Sequence, residues 1–454
     1  MKYYFKWVAV FFLVWGFFAE ASAQPLSGRV LGLRDQAKVI NEVLQERLDS
    51  LLPQLMAQNG IDCWVVMGRE YNEDPVLKTM LPAEWLNARR RTILVFYQPP
   101  QGKPLEKLAI ARYDVGTAIK AAWDMKAQPD QWDALLDLLQ KRQPKKIALN
   151  LSESFAHADG LSATEQKAFV SRLPKAMADK IVSAEPLAVA WLATRSAKEM
   201  ALYPQLIRAT HEIIAEGFSE KVITPGITTT EDLVWWFRQK IRDLGYDTWF
   251  HPSVAIQRND PENFEHLRSF SARPNNNTIL PGDLLHVDIG ISYLRLQTDI
   301  QQHAYVLLPG EKTVPAALQK AFAAAQQVQN ILTAEIATGK SGNEVLTAAL
   351  QKAKAAGLEP SIYSHPIGYH GHAAGPAIGM WDNQVAVPKT GEAKFFPFTA
   401  FSIELNAASP VPEWKKTIRI MLEEDAFFDG KSVRYIGGRQ TSILTIPRAL
   451  NGVE

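Results

Sequence analysis

Residues 284–306 read LLHVDIGISYLRLQTDIQQHAYV, and the two aspartates in this stretch decide how the rest of the chain is understood. From Leu284 to Ile289 every position is apolar except His286 and Asp288, the pattern of a strand running into an interior. Gly290 and Ser292 loosen the backbone into a turn, and Ile300–Val306 returns as a second strand. Asp288 and Asp299 therefore stand eleven residues apart on neighbouring strands. An ionised carboxylate in an apolar strand is costly unless something positive meets it. Two on one ribbon point to a shared cation. The plain alternative is one Asp capping the turn and the other at the solvent edge.

A chain of 454 residues exceeds one typical domain. Its 47% hydrophobic and 21% charged content is that of a folded globular protein. Lys+Arg 49 against Asp+Glu 48 leaves a net charge of +1, so no electrostatic footprint for nucleic acid or an anionic membrane is visible. Residues 1–23 read as an export signal: Lys2 and Lys6 precede an apolar run from Trp7 to Ala19, and Ala21-Ser22-Ala23 forms a cleavage site before Gln24. The expectation is cleavage after Ala23, export to a bacterial periplasm, and no stable membrane insertion afterwards. The single Cys63 excludes an intrachain disulfide and reads as a small buried hydrophobe.

Residues 34–186 read as an α/β domain. It has helices at Asp35–Gln58, Gln131–Arg142 and Ser162–Leu173, and strands at Cys63–Met67, Thr92–Tyr97, Leu108–Arg112 and Lys146–Asn150. It carries no Gly-rich phosphate loop and no His or Cys cluster. Residues 187–454 read as an α+β domain. Helical periodicity covers Leu187–Phe218 with Arg195, Lys198 and Glu199 exposed, Pro204 is expected to kink or restart the helix, and a capping box at Thr228/Glu231 opens the next one. The ribbon follows, then helices at Val314–Ala337 and Asn343–Ala356, then strands and loops.

The chemistry-bearing residues gather in this second part. SHPIGYHGHAAG, residues 364–375, holds His365, His370 and His372; Glu404 lies in FSIELN, and Glu423 and Glu424 in IRIMLEEDAFF. Two Asp, two Glu and one His make an oxygen-rich donor set. That set suits Mn²⁺, with Co²⁺ or Zn²⁺ as alternatives, better than a structural zinc site built on Cys and His. Two such ions sharing carboxylates would activate a water.

The order D-x10-D, then G-H-x-x-G, then an apolar strand ending in Glu, then a last Glu resembles the pita-bread (creatinase/aminopeptidase) metallopeptidases: Xaa-Pro aminopeptidases, prolidases and methionine aminopeptidases. Asp288, Gly290, Tyr293 and Thr298-Asp299-Ile300 stand where those proteins have D-x-G-x-x-Y…S/T-D-I, and Gly371-His372-Ala-Ala-Gly375 is similar to their G-H-G-x-G. The resemblance covers nearly the whole mature chain, since an α/β domain precedes the catalytic one in the proline-specific members. It implies Asp288 on one metal, Asp299 and Glu423 bridging two, and His372 and Glu404 on the second, with Glu404 also the proton acceptor. It implies a peptide substrate, commonly proline-containing, and by analogy a homodimer.

Three departures stand out. The His expected before the first Asp falls near Ser271, with His266 and His251 out of register; a later His falls on Trp381-Asp382; an Arg two before the last Glu is Met421, with Arg419 further back. His365 and His370 are expected to supply the missing catalytic functions, and His251, Tyr293, Trp381 and Arg419 to line the substrate. His372 is preferred to His370 as ligand because Gly375 follows it by three, and Glu423 to Glu424 because strand alternation lets only one of them face the site. The implied activity is a di-metal exopeptidase acting on Xaa-Pro peptides or Xaa-Pro dipeptides, which the sequence does not separate. The competing readings on the same fold are a metal-free peptide- or protein-binding module and a metal-free hydrolase of the creatinase kind.

Overall fold

A computed structural model describes residues 30–100, 102–260 and 277–448. The export-signal reading of residues 1–23, and the loop containing His266 and Ser271, lie outside them. Among the described residues no helix is long and apolar enough to cross a membrane.

The first layer is a six-stranded mixed sheet. Its centre, Cys63–Arg69, pairs antiparallel with Arg91–Tyr97 and parallel with Ile147–Leu149. Cys63 is fully buried and free. The helix Glu185–Ala193 packs its Leu187, Trp191 and Leu192 with Trp64 and Val66, on the face of this sheet opposite Cys63. An apolar helix goes where its buried side chains find partners, and Glu185–Ala193 finds them in the first layer.

The single helical pattern over Leu187–Phe218 is two helices. Thr194 is extended, and Ser196 and Glu199 form a capping box that opens Ala197–Gly217, which continues through Pro204. Arg195 and Glu199, expected at the surface, are buried. Arg47, from the first layer, donates to Glu199 Oε2 at 2.7 Å and to Thr194 O at 2.7 Å, and Arg195 donates to Glu199 Oε1 at 3.1 Å. Three charges thus satisfy one another, which sequence periodicity does not reveal. Both guanidinium groups also lie over the Tyr369 ring, at 5.1 and 5.0 Å, so this network pins the His365–His372 loop to the first layer. The capping box of the following helix is Thr229 with Asp232, one residue later than expected.

The second sheet has nine strands. Its main path runs Glu359–Ile362, Thr399–Val411, Lys416–Phe428, Ile300–Val306, Leu284–Ile289, Ser253–Gln257. Strand alternation divides its two faces. Leu285, Val287 and Ile289 pack on the helices Ala197–Gly217 and Thr230–Asp243, while Ile403, Leu405, Ile420 and Leu422 pack with Ala316–Glu335. The residues between them, Asp288, Glu404 and Glu423, are left on the opposite face.

Candidate metal centre

Register across the sheet assembles the centre. Asp288 pairs with Gln301, Gln301 with Glu423, and Glu423 with Glu404, one side chain from each of four adjacent strands. Directly opposed positions hold their Cβ atoms about 4.5–5.5 Å apart. Asp299 joins from two residues before Gln301, on the same face. His365 arrives on the short strand His365–Ile367, opposite Ser402.

Three sets of ligand atoms converge, each set lying within 4.8 Å: Asp288, Asp299 and Glu423; Asp299, His365 and His372; His365, Glu404 and Glu423. His365 is decisive. Its Nδ1–H donates to Pro366 O at 3.1 Å, which turns Nε2 inward. That Nε2 is 3.6 Å from both Asp299 Oδ2 and Glu423 Oε1 and has no hydrogen-bond partner; Asp288 Oδ1 and Asp299 Oδ1 are likewise buried without one. A ring nitrogen facing two carboxylates across gaps too long for hydrogen bonds is the arrangement of metal ligands around a shared ion. Burial, then the Glu423 charge, raises the pKa of Asp288, Asp299 and Glu404 well above the carboxylate range. The residues fit a divalent metal.

The Glu pair is separated by strand alternation, with Glu423 facing the centre. Glu424 faces the helices, where it accepts from Gln302 at 3.0 Å and from the Gln440 backbone at 2.9 Å and meets His211 Nε2 at 2.7 Å. Sequence reasoning missed Asp425, fully buried on the centre's face, whose Oδ2 accepts the Asp299 backbone N–H at 3.2 Å.

The histidines are distributed otherwise than expected. His365, read as a substitute acid–base residue, sits deepest among the carboxylates. A signal for it was present, since Gly368 follows His365 by three just as Gly375 follows His372. His372 touches the centre from an exposed position, its ring 4.6 Å from His365 and 5.2 Å from Trp249. Burial, with His365 and His157 nearby, lowers its pKa to about 4. His370 joins none of the three sets; it packs at 4.2 Å on His157 of the first layer. The tight turns around these residues require glycine. A Cβ at Gly371 would sit 2.2 Å from the Trp249 ring and one at Gly290 would sit 2.4 Å from Trp249 Nε1, and that indole donates to Thr298 O at 2.9 Å. Gly290 and Gly371 thus leave room for the ring beside His372.

Of the substrate-lining expectations, Trp381 shares a small cleft with Glu404, Tyr363, Asn406 and Met421. Arg419 lies on the same face and donates to Asn406 Oδ1 at 2.8 Å. Tyr293 does not belong to the cleft: its hydroxyl accepts the Leu31 N–H at 2.9 Å and its ring packs in a core against Tyr246. His251 is held elsewhere, 3.0 Å from Arg238 and against Trp235.

Residues 205–426 match metallopeptidase family M24. That stretch is similar to the family. Solved structures similar to the chain include an X-Pro aminopeptidase from Thermotoga maritima (16% identity, TM-score 0.60, covering 86% of this chain and 99% of that one). An Xaa-Pro dipeptidase from Bacillus anthracis (13%, 0.57, 91% and 100%) and a prolidase from Pyrococcus furiosus (12%, 0.52, 85% and 99%) are also similar. At these identities the likeness speaks for the fold, including the α/β layer before the matched residues. No curated protein sequence matches the chain.

Proposed function

We propose that this protein is a two-metal exopeptidase that hydrolyses the bond between an N-terminal residue and proline, in Xaa-Pro dipeptides or longer peptides. The observation that carries the reading is His365 Nε2, aimed between Asp299 and Glu423 at 3.6 Å from each. Asp288, Asp299 and Glu423 would hold one ion and His365, Glu404 and Glu423 the other, with Mn²⁺ favoured by the oxygen-rich donors and Co²⁺ or Zn²⁺ next. Bound there, the ions would supply Lewis acidity toward the scissile carbonyl and acidify water. Glu404 is the proton acceptor. Its position, 8% exposed, keeps it at the edge of the cleft, and burial beside Glu423 raises its affinity for a proton. His372, neutral and at the opening, meets the substrate carbonyl, while Trp381 and Arg419 border the peptide.

A panel of Xaa-Pro dipeptides, Xaa-Pro-Yaa tripeptides and Xaa-Ala controls, each with Mn²⁺, Co²⁺ or Zn²⁺, tests the reading. Turnover of the proline substrates alone is expected. Equal turnover of the alanine controls would remove proline selectivity, and no bound metal with no turnover would leave a binding module.

The leader-like residues 1–23 support a further part of the proposal, that the protein works after export. Sequencing the N-terminus of protein recovered from the periplasm should begin at Gln24. A retained Met1 in that fraction would refute cleavage.

A further inference from the structure

We propose that Gln301 is a positioning residue that holds Glu404 and Glu423 side by side, and that His286 fixes which way its amide points. The inference rests on the two-ion reading of the centre. Gln301 is buried in the middle of the carboxylate row. Its Nε2 donates to Glu404 Oε1 at 2.9 Å and to Glu423 Oε2 at 2.6 Å. Ionised carboxylates only accept hydrogen bonds, so two of them facing each other in a buried place repel; the amide brings two N–H donors, one for each. It also selects the oxygens left for other partners. With Oε2 taken by Gln301, Glu423 turns Oε1 toward Ser402, which donates at 2.6 Å, and toward His365 at 3.6 Å.

An amide is nearly symmetric in shape, and a half-turn would present its oxygen to both glutamates. His286 prevents this. Its Nε2 lies 2.9 Å from Gln301 Oε1, and as the donor it requires the oxygen to face it. His303 packs behind His286 at 5.1 Å and is itself fixed, donating through Nδ1 to Leu285 O and accepting the Met421 N–H at Nε2. The chain thus places a pair of imidazoles, His303 behind His286 and His286 on Gln301, beside the acidic row. It keeps two ligands in register before any cation arrives.

Thermal midpoints of wild type, Q301L, H286M and H286Q, each measured with chelator and with saturating Mn²⁺, test this. The amide matters most when no cation neutralises the glutamates. Q301L should therefore lower the midpoint of the chelated protein more than that of the loaded one, widening the metal-dependent rise by about 3–8 °C. H286M should shift the same way, while H286Q, which keeps an N–H donor, should stay near wild type. Equal lowering of both forms by Q301L, or H286Q behaving as H286M, would overturn the proposal. Should Q301L fail to fold, the two His286 variants decide. A wild type that binds no Mn²⁺ would refute the two-ion reading instead; the comparison of H286Q with H286M in chelator would still judge the imidazole pair.

Discussion

Glu423→Gln protein is expected to lose metal and activity together, yet to gain stability when no metal is present. Glu423 belongs to two of the three ligand sets, and an amide offers one acceptor oxygen where a carboxylate offers two. Metal affinity should fall by more than the roughly 10–100-fold that losing an outer partner costs. Hydrolysis should fall with it. The stability effect has the opposite sign for a stated reason. Asp288, Asp299 and Glu404 have pKa values raised by burial and by the Glu423 charge. A carboxyl raised in the folded state keeps a proton that the unfolded chain has released. Metal-free stability from these groups is therefore present below the unfolded pKa of about 4 and is lost as pH climbs through the folded values. Removing the Glu423 charge relieves that loss. Denaturation midpoints in chelator at pH 5 and pH 8 should show a shallower decline in the variant, and elemental analysis should show less metal. Unchanged metal content would sink the assignment.

His365→Ala and His372→Ala should separate into two kinds of damage. His365 lies 3.6 Å from two acids with its other nitrogen already committed to Pro366 O, so its loss removes a donor and should leave the protein metal-poor and inactive. His372 touches the centre from the exposed side, beside Trp249 and Tyr363. Its loss should leave metal content near wild type and lower kcat/KM by about 10²–10⁴-fold, the usual worth of a positioned proton-handling group. Metal measured in both purified variants, followed by kinetics in excess Mn²⁺, makes the comparison. Metal lost from the His372 variant but kept by the His365 variant would restore the assignment first read from the G-H-x-x-G spacing.

The exchange of roles proposed for His365 and His372 shows where sequence reading stopped. Asp288, Asp299, Glu404 and Glu423 were legible because alternation is local: an acid inside an apolar strand announces a face, whatever the strand later pairs with. The histidines were not, because His365, His370 and His372 share one loop, and spacing alone does not say which enters a strand. Pairing of His365 with Ser402 does. Arg195 and Glu199 were misplaced for a similar reason. Their partner Arg47 lies some 150 residues earlier, and a charged pair looks like surface until its counter-ion is found.

The sequence by itself determined the two layers, the acidic donor set and the oxygen-rich character of the centre, since each follows from periodicity and residue chemistry over short spans. Only the tertiary structure decided which imidazole joins the carboxylates, that Gln301 stands between the glutamates, and that Tyr293 belongs to a core. Those outcomes depend on register between strands far apart in the chain, and register is set by what packs on the opposite face of the sheet, not by the residues that line the centre.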